Sequence, residues 1–410
     1  MGKNAHFIGQ PILSQLIKLI PRSIIRDATN HHNSDKYVKS FMTFDHLVTM
    51  LYSSLMGCQS LRELTTGLQL SANRLQHLGL SYTPRRSTLS DANKRRTHEV
   101  FGYIFHRLVK HYFPVISDSS KSKSILDQLF IIDSTTITLF NEIMKGAGSY
   151  KMNGRKKGGA KAHVMLKANE DIPVFVHITE AKEHDQMFMR YLPLKPGSFI
   201  VFDKAYTNSQ VLYQWDQDEV WWVSRKRNRA SIKSITTLPI TEEDRKEGVV
   251  QDQMVLMGRR SNRKTKVMPV RLVTFYDKDK ERHFEFITNN FRITSFQVAQ
   301  IYKQRWQIEI MFKRLKSNNP LKYFLGDNPN AIKIQIWVSL IADLLIQVVR
   351  KRLEKHRKKW SFSNLAGLIR QHLFTYVNLK AFLMHPDKNL LQNNILKQST
   401  NQLIIEFDST

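Results

Sequence analysis

Two short apolar runs, each ending in an aspartate, constrain the fold of this chain more than any other feature. The first reads LFIID over Leu129–Asp133, and the second reads SFIVFD over Ser198–Asp203. A continuous apolar run of this length predicts a buried strand, and two strand-like segments lie between the runs. Side chains at the carboxyl ends of buried strands often form the site of an α/β protein. The pattern predicts an α/β fold with Asp133 and Asp203 at one edge of its sheet.

A third acidic residue lies in the segment Ile301–Lys316, which reads IYKQRWQIEIMFKRLK. The segment has no Gly or Pro and is rich in Gln, Lys, Arg, Met and Leu, so it predicts one continuous helix. Four polar residues share a stripe about 60° wide beside its apolar face: Tyr302, Arg305, Glu309 and Lys316. A rigid carboxylate flanked by cations suits a metal ligand with phosphate-binding neighbours. The alternative is a surface ion pair of Arg305 with Glu309, worth roughly a few tenths of a kcal/mol.

Asp133, Asp203 and Glu309 together form a candidate catalytic set. Carboxylate oxygens suit Mg²⁺, and a two-metal site activates a water or a 3′-OH and stabilises the leaving oxygen of an in-line displacement. Each aspartate alone could instead cap a turn or a helix. The order strand, strand, helix favours the catalytic interpretation.

The charge of the chain points to a polyanionic partner. Lysine and arginine number 63 against 35 acidic residues, a formal net charge of +28. Nucleic acid is the usual partner of such a protein, and at this length a basic enzyme acting on DNA or RNA is favoured over a ribosomal-type protein. Cys58 is the only cysteine, which excludes an intramolecular disulfide and a thiolate zinc site.

No signal peptide or membrane span is predicted. The first twenty residues are interrupted by polar residues, Gly and Pro, and the most apolar helical segment, Ile334–Val349, is too short and polar to cross a membrane. We therefore expect a soluble protein of a reducing compartment, cytoplasmic in a bacterium and nucleoid-associated when bound to DNA.

Two basic segments are candidate DNA contacts. A helix starting at Ser87 would direct its N-terminus and its basic neighbours at phosphate: Arg85, Arg86, Arg95 and Arg96. The alternative there is a solvated basic helix. A glycine-containing hairpin within Tyr150–Lys161 could seat a DNA backbone, with a surface loop as the alternative: Lys151, Arg155, Lys156 and Lys157.

Four further residues have two interpretations. Trp221 and Trp222 open a β-rich segment and could stack on an unpaired base, although core packing is favoured. His184 and Asp185, in the sequence KEHD, could lie near the site, but a cap at Asp185 of the helix predicted at Asp185–Leu192 is favoured.

The pattern Y-x2-R-x3-E-x6-K at 302–316, followed by LKSNNPLKYFLG, resembles the signature of DDE transposases of the IS-four insertion-sequence family. FIIDST around Asp133, VFDKAY around Asp203 and FITNN at Phe286–Asn290 extend the resemblance from about Leu129 through Ala342. The second motif departs from the family, which commonly has glycine before the tyrosine. We assign no tryptophan to the base-stacking position ahead of Glu309.

The resemblance implies an RNase H-like catalytic core interrupted by a β-strand insertion. It implies Mg²⁺-dependent nicking at terminal inverted repeats and strand transfer of the 3′-OH into target DNA, with Mn²⁺ able to substitute. Asp133, Asp203 and Glu309 would then ligate metal, while Tyr302, Arg305 and Lys316 would hold the DNA terminus. A homodimer is expected in the synaptic complex, because two ends must be joined.

The predicted layout has five parts along the chain. A helical DNA-binding region at 1–120 precedes the first part of the core at 125–224, and a β-rich insertion follows at 225–288. The second part of the core covers 289–350, and a helical C-terminal region covers 351–410. Two alternatives stay open: an RNase H-like nuclease or resolvase without strand transfer, and a non-catalytic transposase-derived DNA-binding protein.

Overall fold

The computed structural model describes residues 10–386 apart from 73–74, 118–127, 139–148, 153–154, 171, 182, 229, 259–266, 319–320 and 322. Its α-helices are α1 Ile12–Ile17, α2 Arg22–His32, α3 Thr43–Met56, α4 Leu61–Leu70, α5 Leu75–Leu78, α6 Arg86–Arg95, α7 Glu99–Ile116, α8 Asp185–Phe188, α9 Ser209–Gln217, α10 Glu242–Lys246, α11 Ser295–Gln304, α12 Trp306–Asn318, α13 Pro329–Glu354, α14 Phe362–Gln371 and α15 Leu379–Met384. Its strands are β1 Leu129–Thr138, β2 Ser149–Met152, β3 Arg155–Lys167, β4 Pro173–Glu180, β5 Phe199–Phe202, β6 Trp221–Arg225, β7 Ile232–Thr237, β8 Val249–Met257, β9 Met268–Asp277 and β10 Arg282–Thr288.

One mixed sheet joins the strands in the order β2-β3-β1-β5-β6-β10-β9-β8-β7, with β4 also paired to β3. The pairs β1–β5 and β5–β6 are parallel, whereas the outer pairs are antiparallel. With helices packed on this sheet, the architecture is the predicted mixed α/β class.

The register of β1 and β5 sets the site. Their parallel pairing ends at Ile132 opposite Phe202, one residue before Asp133 and Asp203. The two aspartates therefore leave the paired region at the same level, as predicted. One detail differs, because β1 continues to Thr138 on its pairing with β3, so Asp133 lies within a strand and not at its end.

The chain from β7 to β10 extends the same sheet beyond β6. All four strands agree with the predicted β-rich character of this segment, and a turn follows β9, where Asp277 Oδ1 accepts hydrogen bonds from the backbone N–H groups of Asp279 and Lys280. The strand β7 was not predicted. Its residues are mostly exposed, and among the described strands it pairs only with β8, so its sequence lacks the apolar alternation of a half-buried strand.

The helix α13 forms the centre of the helical core. It contacts α3, α7 and α14, and 94% of its most apolar stretch of 18 residues is buried inside the protein. The prediction of a short helix over Ile334–Val349 is wrong in length, because the helix has 26 residues. By length and composition it could cross a membrane, but its burial is that of a core helix.

The predicted helix Ile301–Lys316 is two helices, α11 and α12, separated at Arg305. The backbone tightens there: Arg305 N–H donates to Tyr302 O, and Ile308 N–H donates to Arg305 O, so both bonds span three residues. At this junction the Arg305 side chain reaches Asp133 of β1.

Candidate active site

Asp133 is the centre of the site. Its Oδ1 accepts a hydrogen bond of 2.8 Å from Ser134 N–H, and its Oδ2 accepts one of 3.1 Å from Arg305 Nη1. Burial raises the pKa of Asp133 to about 6, against the lowering effects of the Ser134 N–H and Arg305. The carboxylates of Asp203 and Glu309 also raise this pKa, so the three acids share one electrostatic neighbourhood.

Arg305 connects two of these acids. Besides Asp133, its Nη2 donates a 2.5 Å hydrogen bond to Glu309 Oε1. The side chains of Arg305, Asp133 and Glu309 are 16%, 20% and 33% exposed. A plain surface pair of Arg305 with Glu309 is therefore too simple, because the guanidinium also binds a carboxylate 172 positions away.

Asp203 follows β5 and begins a short 3-10 turn over Lys204–Tyr206. Its Oδ1 accepts a 3.1 Å hydrogen bond from Ala205 N–H. The capping interpretation therefore holds for Asp203. Its carboxylate nonetheless raises the pKa values of both Asp133 and Tyr302, so it also faces the site.

Tyr302 and Lys316 face the same region from α11 and α12. The Tyr302 ring lies 4.8 Å from the Phe286 ring and 5.9 Å from the Arg305 guanidinium. Lys316 Nζ donates to Thr136 O on β1 over 3.3 Å, and burial lowers its pKa. All four residues of the predicted stripe therefore lie toward the sheet edge that carries Asp133.

An open cleft of about 910 Å³ borders the site. Its lining includes both Asp133 and Glu309 together with Lys313 and Lys316 of α12. Residues of the α3–α4 joint and of α14 form the far wall: Gly57, Gln59 and Arg370. The cleft thus combines carboxylates with exposed lysine, as a site for an anionic substrate and a cation requires.

The donor chemistry of the site fits a hard divalent cation. Carboxylate oxygens are the ligands that such ions prefer, and the raised pKa of Asp133 marks a place where a cation would stabilise the ionised form. Within the described part of the chain, no three His, Cys, Asp or Glu side chains are already grouped to hold a metal ion. Arg305 lies between Asp133 and Glu309 and donates a hydrogen bond to each carboxylate.

Asp185 is a residue whose favoured interpretation is corrected. His184 is the N-cap of α8, and no side-chain capping bond forms there. The Asp185 carboxylate instead accepts a 2.9 Å hydrogen bond from Ser134 Oγ and lies 3.1 Å from Lys161 Nζ. The alternative, that Asp185 lies near the site, is the one the geometry supports.

Core packing, the favoured interpretation of Trp221 and Trp222, is confirmed for Trp222. Trp222 is fully buried, and Trp221 is half-buried beneath Arg292, 5.7 Å from its ring. Trp306 is 60% exposed, directly after Arg305 and three residues before Glu309. Sequence reasoning missed Trp306 although the letters QRWQIE contain it. An exposed aromatic side chain on the helix that carries Glu309 is suited to stacking on a base.

The predicted basic helix divides into exposed and buried arginines. Arg85, Arg86 and Arg95 are exposed, and Arg95 pairs with Asp91 over 2.9 Å. Arg96 is only 6% exposed, and its guanidinium donates to Phe41 O, Ser34 O and Asp35. We therefore correct the DNA-binding prediction for Arg96 and assign it a structural role.

The predicted basic hairpin exists in the backbone. β2 and β3 pair antiparallel, with Lys151 opposite Lys156 and Met152 opposite Arg155. The side chains of Lys151, Arg155, Lys156 and Lys157 lie outside the described residues, so their contact with DNA stays a prediction.

A family model described as the transposase DDE domain matches residues 125–345, more than half of the chain. The chain belongs to the DDE transposase family. A second model, for a domain of unknown function, matches residues 8–81 of this transposase. Membership implies a DNA-processing enzyme that depends on divalent metal in general.

Curated relatives agree. A Sinorhizobium fredii protein named as a candidate transposase, y4zB, is 28% identical over 66% of this chain and 72% of its own. Candidate transposases for the elements IS5377 of Geobacillus stearothermophilus and IS4SA of Synechocystis are each 25% identical, over 55% and 64% of this chain and 58% and 71% of their own. These names support a transposase of an insertion sequence.

Among solved structures, a piggyBac transposase synaptic complex with hairpin DNA aligns over 96% of this chain and 84% of its own. The sequence identity is 12% and the TM-score is 0.46, too low to carry an argument about the fold.

Proposed function

We propose that this transposase cleaves DNA at the terminal inverted repeats of an insertion sequence and joins the 3′-OH ends to target DNA. The observation that carries the proposal is the grouping of three acids: Asp133 and Glu309 line one cleft, and Asp203 lies close enough to raise the pKa of Asp133. Each acid comes from a different element of the fold. The charges of Asp203 and Glu309 both raise the pKa of Asp133. Acids brought together from distant positions at an energetic cost are typical of catalytic sites.

We further propose that the core is RNase H-like. The order β4-β3-β1-β5-β6, with three antiparallel strands followed by two parallel ones, supports this assignment. The insertion at 225–288 would then add β7 to β10 to the free edge of β6. The domain boundaries and membership of the IS-four subgroup are parts of the same proposal.

Asp133, Asp203 and Glu309 would hold Mg²⁺, with Mn²⁺ able to substitute. The bound ions would supply activation of the attacking hydroxyl and stabilisation of the leaving oxygen. Arg305 would exchange its carboxylate partners for a phosphate of the DNA terminus, because a planar guanidinium binds phosphate as readily as carboxylate. Tyr302 and Lys316 would position the same terminus.

The flanking DNA would follow the basic surfaces. Lys313 and Lys316 line the cleft, and Trp306 would stack on an exposed base beside it. Arg85, Arg86 and Arg95, and the hairpin of Lys151, Arg155, Lys156 and Lys157, would contact the duplex further out. A homodimer would join two ends in the synaptic complex, and the protein would work in the bacterial cytoplasm on the nucleoid.

The testing experiment is cleavage of a labelled duplex carrying the inverted repeat that flanks the gene, with Mg²⁺ or Mn²⁺. Asp203→Asn is the informative variant, since the amide oxygen can still accept from Ala205 N–H while the charge is lost. Nicks at the repeat tip by the wild type, absent in the variant, are expected. Undiminished cleavage by the variant would count heavily against the proposal.

A second substrate separates the alternatives. A duplex with a pre-nicked 3′-OH end should be joined to target DNA by a transposase. Cleavage without joining would favour the nuclease or resolvase, and tight binding without cleavage by any divalent ion would favour the non-catalytic DNA-binding protein.

A further inference from the structure

Ser134, directly after Asp133 on β1, hydrogen-bonds to two different carboxylates. Its N–H donates to Asp133 Oδ1 over 2.8 Å, and its hydroxyl donates to Asp185 Oδ1 over 2.9 Å. One serine therefore fixes an oxygen of the central acid with its backbone while its side chain is itself held by a second acid.

The Ser134 N–H is free for this bond because of the sheet register. Leu129 O accepts from Ala168 N–H beside β3, so backbone alternation turns the N–H groups of even-numbered β1 residues toward β5. The pairing with β5 ends at Ile132 and Phe202, two residues earlier in β1. Ser134 N–H thus lies beyond the ladder and reaches the carboxylate of its neighbour.

Asp185 is itself held in place by a lysine. Lys161 Nζ lies 3.1 Å from Asp185 Oδ1 and donates to Glu183 O over 2.9 Å. The side chains of Lys161 and Asp185 are 13% and 25% exposed. His163 Nδ1 lies 3.8 Å from the same oxygen, but burial lowers the pKa of His163 to about 4, so Lys161 is the counter-ion.

Tyr206 closes the cluster from the turn after β5. It is 1% exposed, and burial, followed by the charge of Asp185, raises the pKa of its hydroxyl. A network that is fixed by hydrogen bonds and an ion pair at several points holds its geometry, as the outer partners of catalytic carboxylates do.

We propose that Asp185 is a positioning residue for Asp133, acting through Ser134, in the DNA cleavage proposed above, on which this inference rests. Asp185 holds the Ser134 hydroxyl, and Ser134 holds Asp133 Oδ1. Asp133 Oδ2 is thereby directed toward the cleft, where Arg305 now binds it and where a divalent cation would bind.

The test uses the full chain and four variants: Asp185→Ala, Asp185→Asn, Ser134→Ala and Ser134→Thr. Three quantities are measured: the single-turnover cleavage rate at saturating protein, the affinity for the inverted-repeat duplex, and the affinity for Mn²⁺ alone by electron paramagnetic resonance without DNA. Glu170→Ala is the matched control, because Lys167 and Glu170 form a similarly buried pair at the far end of β3, 2.7 Å apart.

Asp185→Ala and Ser134→Ala are expected to slow cleavage and weaken Mn²⁺ binding by about 10–100-fold, the usual effect of losing an outer partner of a metal ligand. DNA affinity should change less than about twofold, since neither side chain is proposed to touch DNA. Ser134→Thr and Asp185→Asn keep a donor and an acceptor and should recover part of the loss. The double alanine variant should be no worse than either single one, and Glu170→Ala should match the wild type.

Wild-type rates and Mn²⁺ affinity in both alanine variants would overturn the inference. Additive losses in the double variant would do the same, because they would show that Asp185 does not act through Ser134. If Asp185→Ala fails to fold, Ser134→Ala decides the matter. A wild type that never cleaves would refute the proposed function, while the Mn²⁺ affinities would still test the positioning.

Discussion

Two arginine–carboxylate arrangements on the same stretch of chain differ in a way that separates structure from function. Arg314 of α12 makes a bidentate pair with Asp343 of α13, with both hydrogen bonds at 3.1 Å and side chains only 9% and 5% exposed. Arg305, at the start of α12, divides one guanidinium between Asp133 and Glu309 at the cleft. Its Nε has no hydrogen-bond partner among the residues that the structure describes.

The Arg314–Asp343 arrangement is closed to other ligands, whereas the arrangement around Arg305 is open to them. In the buried pair each charge is matched by the other, so breaking it leaves an uncompensated charge in the core. At the cleft, each carboxylate uses one oxygen for Arg305 and is partly exposed, so its partners can be exchanged for phosphate or a cation. The candidate site is therefore marked by one guanidinium shared between two partly exposed carboxylates, and not by the presence of an ion pair as such.

The largest expected effect on stability is at the closed pair. Arg314→Ala should lower the free energy of unfolding by about 3–5 kcal/mol, because Asp343 is left buried without its counter-ion. Urea unfolding would measure it. Replacing both residues by Met and Leu should restore most of the loss, and a single variant as stable as the wild type would break the comparison.

Arg305→Met should have the opposite effect, with little change in stability and a large loss of cleavage. Asp133 and Glu309 are partly exposed and Asp133 can take up a proton, so the free energy of unfolding should change by less than about 1 kcal/mol. Cleavage should fall by about 10–100-fold, because a cation that orients the DNA terminus is lost. Unfolding curves and single-turnover rates would be compared, and a severe loss of stability would place Arg305 with Arg314.

Asp133→Asn should stabilise the protein without metal while removing cleavage. The pKa of Asp133 is raised to about 6, so between about pH 4 and pH 6 the unfolded chain has released a proton that the folded one retains. The wild type therefore loses stability as pH rises through this range, by about 3 kcal/mol. The advantage of the variant should be complete above about pH 6 and absent below about pH 4.

Thermal unfolding at a series of pH values, in chelator, would measure this advantage. Saturating Mn²⁺ should reduce or reverse it, because a bound cation favours the ionised form of Asp133. A pH-independent difference between the two proteins would contradict the raised pKa.

The smallest effect is expected at two neighbouring arginines, Arg95 at the end of α6 and Arg96 directly after it. Arg95→Ala should weaken DNA binding only a few-fold and reduce the salt slope of the affinity by about one, as for a single phosphate contact. Arg96→Ala should instead lower the thermal midpoint, because its guanidinium is bonded within the protein. Anisotropy titrations at several KCl concentrations, with melting curves, would distinguish the two.

The sequence was most informative where the signal was local or periodic. The apolar runs located β1 and β5, and their equal offset from the aspartates predicted a shared edge, because parallel strands carry their carboxyl ends together. The helical stripe located Arg305, Glu309 and Lys316 on one side. The tightened turn at Arg305 escaped prediction, since no Gly or Pro marks it.

Contacts between distant segments were beyond the sequence. Asp185 lies 51 positions from Ser134, so only the folded sheet reveals that its carboxylate serves β1 and not its own helix. Arg95 and Arg96 look alike in a basic run, and burial alone separates them. The exposed edge strand β7 and the exposed Trp306 carry no apolar pattern that propensity could detect.

The most direct test of the shared carboxylate site is single-turnover cleavage of the inverted-repeat duplex by the wild type and by Glu309→Gln across a Mn²⁺ titration. Gel shifts would establish equal DNA occupancy of the two proteins. We predict specific nicks by the wild type and a rate at least about 10³-fold lower for the variant at every Mn²⁺ concentration. Equal cleavage by both proteins would remove Glu309 from the site and contradict the assignment.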